Sequence, residues 1–381
     1  MALTGREKIL AAMSPQGAAS TPVVLCYPEL FMRECWEKVT SVPWWGMYSH
    51  DIEMAVQAAR DMLAITGEDR IRLWMSPPRD ERQRYRIEGL DGKRARRIDT
   101  ATGQVEELLR PPPGGFVSAH DQGWMDNRTY TSTDQIDAAM PLPPAETRQS
   151  LEAAGRLDKP RRILAEFGHD KMPWTQLPSP WDPLFALWGF EGLMVACAER
   201  PELVAYACRR VVQCNRIRIA TWKAAGVELI WLEEGSSDQI SPELHRRLVL
   251  PHMQELTAAI REAGMRSIYY YTGNPNDRLD VLLASGADAL ALEEGRKNFT
   301  IDIETVAEYA DGRMALLGNL DEVNVLERGP IEAIRAEVAR QLRAGRRNAN
   351  RFIMGIGGPV TPNTPMEHVR AIAQIVHELS P

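Results

Sequence analysis

Ala225-Gly226-Val227-Glu228-Leu229-Ile230-Trp231-Leu232-Glu233-Glu234-Gly235 is repeated further along the chain as Ser285-Gly286-Ala287-Asp288-Ala289-Leu290-Ala291-Leu292-Glu293-Glu294-Gly295. Each copy reads as a helix ending at Gly, an acidic residue, an apolar run too short for a helix, then two carboxylates and a Gly. Between the copies lies a third apolar run, Ser267-Ile268-Tyr269-Tyr270-Tyr271-Thr272-Gly273-Asn274. Continuous apolar strands alternating with amphipathic helices predict a parallel sheet covered on both faces. The polar groups gathered at the C-terminal ends of such strands form the rim where α/β folds bind ligands.

Outward from this stretch, strand-then-helix units are expected near residues 23, 71, 163, 227, 267, 288, 314 and 351. Eight units predict one (β/α)8 TIM barrel over residues 1–381. Thr4 with Glu7 three residues on predicts a capping box opening the first helix. Residues 76–160 differ in texture, and Asp91-Gly92 and Thr102-Gly103 between alternating segments predict an antiparallel β-hairpin insertion within the barrel. Its arginines (Arg79, Arg82, Arg84, Arg86, Arg94, Arg96, Arg97) read as a solvated face, with an anionic partner as the alternative.

A net charge of -7 argues against nucleic acid or an anionic membrane as partner. No apolar run approaches a membrane span, and the N-terminus lacks the apolar segment of a signal peptide. Five cysteines without a CxxC pair predict a reduced, cytoplasmic protein without a disulfide framework.

Several motifs resemble the uroporphyrinogen decarboxylase superfamily. They are Thr4-Gly5-Arg6-Glu7-Lys8-Ile9-Leu10, Trp188-Gly189-Phe190-Glu191, Gln239-Ile240-Ser241-Pro242-Glu243, Leu317-Gly318-Asn319-Leu320-Asp321 and the tail Gly355-Ile356-Gly357-Gly358-Pro359-Val360-Thr361-Pro362-Asn363-Thr364-Pro365. The resemblance implies a barrel of the uroporphyrinogen decarboxylase type and either of two chemistries, decarboxylation or cobalamin-dependent methyl transfer. In the zinc methyltransferase branch, the strand at 267–271 ends in His-x-Cys-Gly and the Gly-rich tail carries a Cys. The matching positions here are Tyr270, Thr272 and Gly358, so no metal ligands are expected from that set. The decarboxylase branch needs an Arg-rich segment after the first strand. This chain has Cys26-Tyr27-Pro28-Glu29-Leu30-Phe31-Met32-Arg33-Glu34, with one Arg and two Glu.

Strand alternation sends one Glu of each pair inward and the other toward the helices. The second of each pair, Glu234 and Glu294, is the expected inward one. Two neighbouring carboxylates in a half-buried pocket split their pKa values into a donor and an acceptor. The alternative has one Glu of each pair capping the next helix or pairing with Arg296 or Lys297. Tyr270 faces away from Tyr269 and Tyr271 and, on the resemblance, toward the pocket. His169, closing a strand over 162–168, is either an acid/base or a loop hydrogen-bonder. Trp174 and Trp181 belong to a Pro-rich aromatic loop that walls the substrate or packs the barrel mouth. Tyr27, Asp238, Asn274 and Asn319 complete the expected substrate-binding rim.

The leading expectation is a methyltransferase component that demethylates a small donor, aromatic donors included, with acid assistance from these groups. It holds no tightly bound cofactor of its own and passes methyl to a corrinoid on a separate protein. A cofactor-free decarboxylase or lyase is the alternative enzyme, and a binding protein on the same barrel is the third reading. A homodimer is among the expected assemblies.

Overall fold

The computed structural model describes residues 3–112, 126–295 and 299–380. Its strands, in chain order, are β1 (Arg70–Arg72), β2 (Tyr85–Gly89), β3 (Arg94–Asp99), β4 (Val105–Leu109), β5 (Met172–Pro178), β6 (Leu229–Gly235), β7 (Arg266–Thr272), β8 (Ala289–Leu292), β9 (Ala315–Leu317) and β10 (Phe352–Ile353). The strands β1, β5, β6, β7, β8, β9 and β10 form one sheet in that order, every pair parallel. Residues 22–25 close it. Val23 bridges Met354 beyond β10, and on the other side its carbonyl accepts the Asp69 N–H at 2.9 Å, just ahead of β1. Seven strands and this closing segment give the eight staves of a barrel.

The closing segment is short because side chains take over half its ladder. Asp69 Oδ2 accepts the Val23 N–H and Glu68 Oε1 accepts the Leu25 N–H, both at 2.8 Å. Buried Arg70 completes the seam, donating to Glu68 at 3.2 Å and to the Leu25 carbonyl at 2.6 Å. Burial pushes the Glu68 carboxyl up to about 7, against the pull of Arg70. A folded-state pKa above the ordinary 4.5 favours the fold below that value and withdraws the benefit as pH rises through about 7. The E68Q variant lacks this titration. Its stability relative to the parent should therefore improve as pH rises from 4.5 to 7, read as urea midpoints; a pH-independent difference would contradict it.

Two sequence expectations shift here. Residues 158–167 form a helix (Asp158–Phe167), not the third strand, and the strand is β5, within the stretch expected to be a loop. The helix is signalled by Asp158 in its first turn and an Arg162–Glu166 pair at 2.9 Å, one turn apart. Prolines disguise the strand. Pro173 and Pro178 sit where the loss of an N–H is tolerated, and Trp174 to Leu177 still register with Leu229 to Leu232 of β6.

The insertion contains the expected antiparallel sheet, ordered β2-β3-β4. Asp91 Oδ1 accepts the N–H groups of Lys93 and Arg94 and fixes the first turn. Ala95, Ile87 and Leu108 share one face and pack on the barrel core. All seven arginines noted in the sequence form ion pairs with Asp or Glu, which favours the solvated-face reading. No helix among the described residues is long and apolar enough to cross a membrane.

Candidate active site at the barrel mouth

Glu233 pairs in register with Tyr270, and both point into the barrel with Trp231. The Tyr27 hydroxyl donates to Glu233 Oε2, and Gln176 Nε2 donates to the same oxygen at 2.7 Å. Trp231 Nε1 and Gln176 Nε2 donate in turn to the Tyr27 oxygen at 3.1 and 3.2 Å. Four residues from three staves thus form one closed network at the C-terminal end of the strands. Tyr27 reaches it from a left-handed backbone conformation (φ 42°) immediately before the helix Pro28–Glu34. The rings of Tyr27, Trp231 and Tyr270 pack at centroid distances of 5.1 to 6.2 Å. Burial, then the adjacent Glu233 charge, holds the Tyr27 hydroxyl well above its ordinary range. Burial with Cys26 beside it does the same for Tyr270, which donates to the Gly357 carbonyl at 2.7 Å.

Glu234 corrects an expectation, because it turns away from the mouth. Period-two alternation places it with Leu232 on the helix-facing side, fully buried, where Oε1 meets His245 Nε2 at 2.8 Å and Ser237 Oγ at 2.7 Å. His245 comes from the helix Pro242–Leu248. Burial raises the Glu234 carboxyl, but the His245 imidazole and the hydroxyls of Ser237 and Tyr269 outweigh it and hold it below the ordinary range. The first carboxylate of this pair, Glu233, is the inward one.

In the second pair Glu294 does reach the mouth. A Cβ added to Gly357 would lie 2.8 Å from Glu294 Oε2. One added to Gly358 would lie 2.5 Å from Glu322 Oε1, so the Gly-rich turn leaves room for two carboxylates and no side chain of its own. This bears on the zinc that the zinc methyltransferase branch binds. A cysteine at position 358 would require the Glu322 carboxylate to move aside, and Tyr270 spends its proton on Gly357. Hydroxyls and a glycine do not fit the thiolate and imidazole set that zinc prefers. Arg296 and Lys297, the expected partners of these glutamates, lie outside the described residues.

Tyr27, Tyr270 and Glu294 therefore converge, whereas the other expected residues lie elsewhere. His169 is exposed in the turn before β5, at the N-terminal end of the barrel, because residues 158–167 are helix. Trp181 is buried in a separate core cluster, its ring 5.6 Å from Phe185. Trp174 lies on β5 beneath the site, 6.1 Å from Trp231 and 3.8 Å from the Arg70 guanidinium. Asp238 and Asn274 engage each other at the rim, the Asn274 N–H donating to Asp238 Oδ2 at 3.1 Å. Asn319 is a strut that donates to the Glu293 and Ile301 carbonyls. The sequence reading overlooked Gln176 and Arg72. A Gln inside an apolar strand and an Arg inside the short run Ile71-Arg72-Leu73-Trp74 were the available signals, since buried polar side chains need partners.

The chain matches the family model described as uroporphyrinogen decarboxylase (URO-D) over residues 132–379, well over half its length, and it belongs to that family. The uroporphyrinogen decarboxylase of Xanthomonas axonopodis pv. citri (strain 306) is 29% identical over 189 residues, 47% of this chain and 51% of that protein. The uroporphyrinogen decarboxylase of Carboxydothermus hydrogenoformans is 27% identical over 286 residues, 72% of this chain and 77% of that protein. The chain thus spans about half the length of several curated relatives it matches. A solved methyltransferase from Methanosarcina mazei shares the fold across 99% of both chains, with a TM-score of 0.68 at 19% identity.

Proposed function

We propose that this protein is a methyltransferase component that takes methyl from a small methylated substrate and works with a separate corrinoid protein. The observation that carries the reading is the network of Tyr27, Glu233, Gln176 and Trp231 at the mouth, in which the Tyr27 hydroxyl and Glu233 share a proton that can be relayed to a leaving oxygen or nitrogen. Loss of methyl leaves negative charge on the heteroatom, and protonating it lowers the barrier. Tyr27 remains protonated at neutral pH because burial and Glu233 both oppose its ionisation. Gln176 and Trp231 orient its oxygen. As Tyr27 gives its proton to the leaving atom, Glu233, entering the step with a proton, passes that proton to the Tyr27 oxygen and ends as the carboxylate that accepts from Tyr27 and Gln176, so the negative charge comes to rest on Glu233. Tyr270 and the surrounding rings exclude water from the reacting centre. The corrinoid, when docked, supplies the nucleophile that accepts the methyl group. The shared architecture with the Methanosarcina methyltransferase supports the reading.

Decarboxylation is the second reading, favoured by the names of the curated relatives and by the same proton source, which suits protonation of a carbanion. The purified chain mixed with cob(I)alamin and a panel of methoxylated and N-methylated compounds should consume cob(I)alamin only when a substrate is present. Absence of methyl transfer across the panel, with CO2 released from carboxylated members, would overturn the leading reading.

A further inference from the structure

Two arginines line the barrel near the seam, and they differ in how far they are sealed from solvent, at 1% and 14% side-chain exposure for Arg70 and Arg72. Arg70 donates through Nε to Glu68 and through Nη2 to the Leu25 carbonyl, leaves Nη1 without a partner among the described residues, and at 1% exposure is closed to a ligand. Arg72, one step nearer the mouth, makes one hydrogen bond among the described residues, to Gln176 Oε1 at 3.2 Å. Its nearest carboxylate, Glu29 Oε1, stands 3.6 Å away, an ion-pair distance too long for a hydrogen bond. Arg72 Nε and Glu29 Oε2 are both buried without a hydrogen-bond partner among the described residues. A guanidinium offers five N–H donors in a fixed fork, so most of this one's capacity is held in reserve. Its plane is fixed by Trp74 and Trp174, whose ring centroids lie 4.0 and 4.7 Å from its central carbon. Trp74, stacked on the guanidinium, is itself 47% exposed.

We propose that Arg72 is the anchor for a carboxylate of the substrate, and that Glu29 is its resident counter-charge, displaced when the substrate binds. Gln176 bonds Arg72 through its carbonyl and Glu233 and Tyr27 through its amide. A carboxylate on Arg72 therefore lies one side chain away from the proton source, and a compact molecule spans the two. The substrate class is a small monocarboxylate whose methylated oxygen or nitrogen sits a few atoms from the carboxylate. The methyl group in that description rests on the function proposed above; the carboxylate does not. A forked Arg pair stabilises the carboxylate in the ground state, so it serves as a handle and not as the group that leaves.

Calorimetric titration of the whole chain with methoxylated and N-methylated monocarboxylates, each beside its matched carboxamide, tests the anchor without any need for turnover. At least one acid should bind about 10- to 100-fold more tightly than its amide, and R72Q should erase that preference. E29Q, which removes the competing carboxylate, should tighten binding of the same acid. Equal binding of acid and amide, an R72Q variant that keeps the preference, or no binding by any acid would overturn the proposal. Should R72Q fail to fold by circular dichroism, E29Q decides alone: unchanged or weaker acid binding counts against the anchor. A chain that discriminates acid from amide through Arg72 yet transfers no methyl supports the anchor and sinks the methyl-transfer reading.

Discussion

Replacing Glu233 by Gln is expected to lower kcat by about 10²- to 10⁴-fold, the usual worth of a positioned acid–base group. The amide is nearly the same size, and its oxygen can still accept from Tyr27 and Gln176, so fold and substrate binding should be largely preserved. What disappears is the charge that balances the travelling proton. The informative comparison is with the neighbouring E234Q, which differs by one position on the same strand but faces the helices. Steady-state kinetics on the two proteins should show a loss of kcat in E233Q and near-parental kcat in the folded fraction of E234Q. The opposite pattern would mean that the helix-facing carboxylate does the chemistry. A Y27F variant should lose at least as much kcat as E233Q, because it removes the hydroxyl that protonates the leaving atom but leaves the ring that packs on Trp231 at 6.0 Å.

The largest stability effect is expected from His245→Ala. Glu234 and His245 are 0% and 2% exposed at the side chain, and their contact at 2.8 Å is sealed between β6 and the helix Pro242–Leu248. Removing one partner of a buried pair leaves the other desolvated, which costs about 3–5 kcal/mol. Glu234→Gln should cost less, since a neutral amide can keep hydrogen bonds with the Ser237 and Tyr269 hydroxyls. The pair also has a pH signature. Burial acts to raise the Glu234 carboxyl, but His245 and the two hydroxyls win and hold it below 4.5. A lowered folded-state pKa contributes stability above the ordinary carboxyl range and loses it as pH falls through the lowered value. Urea unfolding across the acid range should therefore show a steeper loss in the parent than in E234Q. This slope is opposite in sign to that of Glu68, so the two glutamates can be told apart by pH alone.

How much of this was legible in the sequence varies with the kind of signal. The repeated apolar strand stretch and the Thr4–Glu7 capping box are local patterns, and each appears in the structure where expected. The third stave was misplaced because Pro173 and Pro178 mask a strand, while the apolar residues Ile163, Leu164 and Phe167 also suit one helix face. The inward member of the first Glu pair could not be read from the run itself. A one-residue change of phase exchanges Glu233 for Glu234, and only pairing with Tyr270 on β7 sets that phase. Tyr270 was legible because its two tyrosine neighbours must face the other way. Gln176 and Arg72 were missed because their partners, Glu233, Tyr27 and Glu29, are remote in sequence, and the closed network exists only in three dimensions.

Double labelling tests the central claim most directly. A small monocarboxylate carrying one isotope in its O- or N-methyl group and another in its carboxyl group is incubated with the purified chain and cob(I)alamin. The account predicts that the methyl label moves to cobalt while the carboxyl label stays in the organic product, and that E233Q suppresses the transfer. Carboxyl label released as CO2 with the methyl label retained would contradict it.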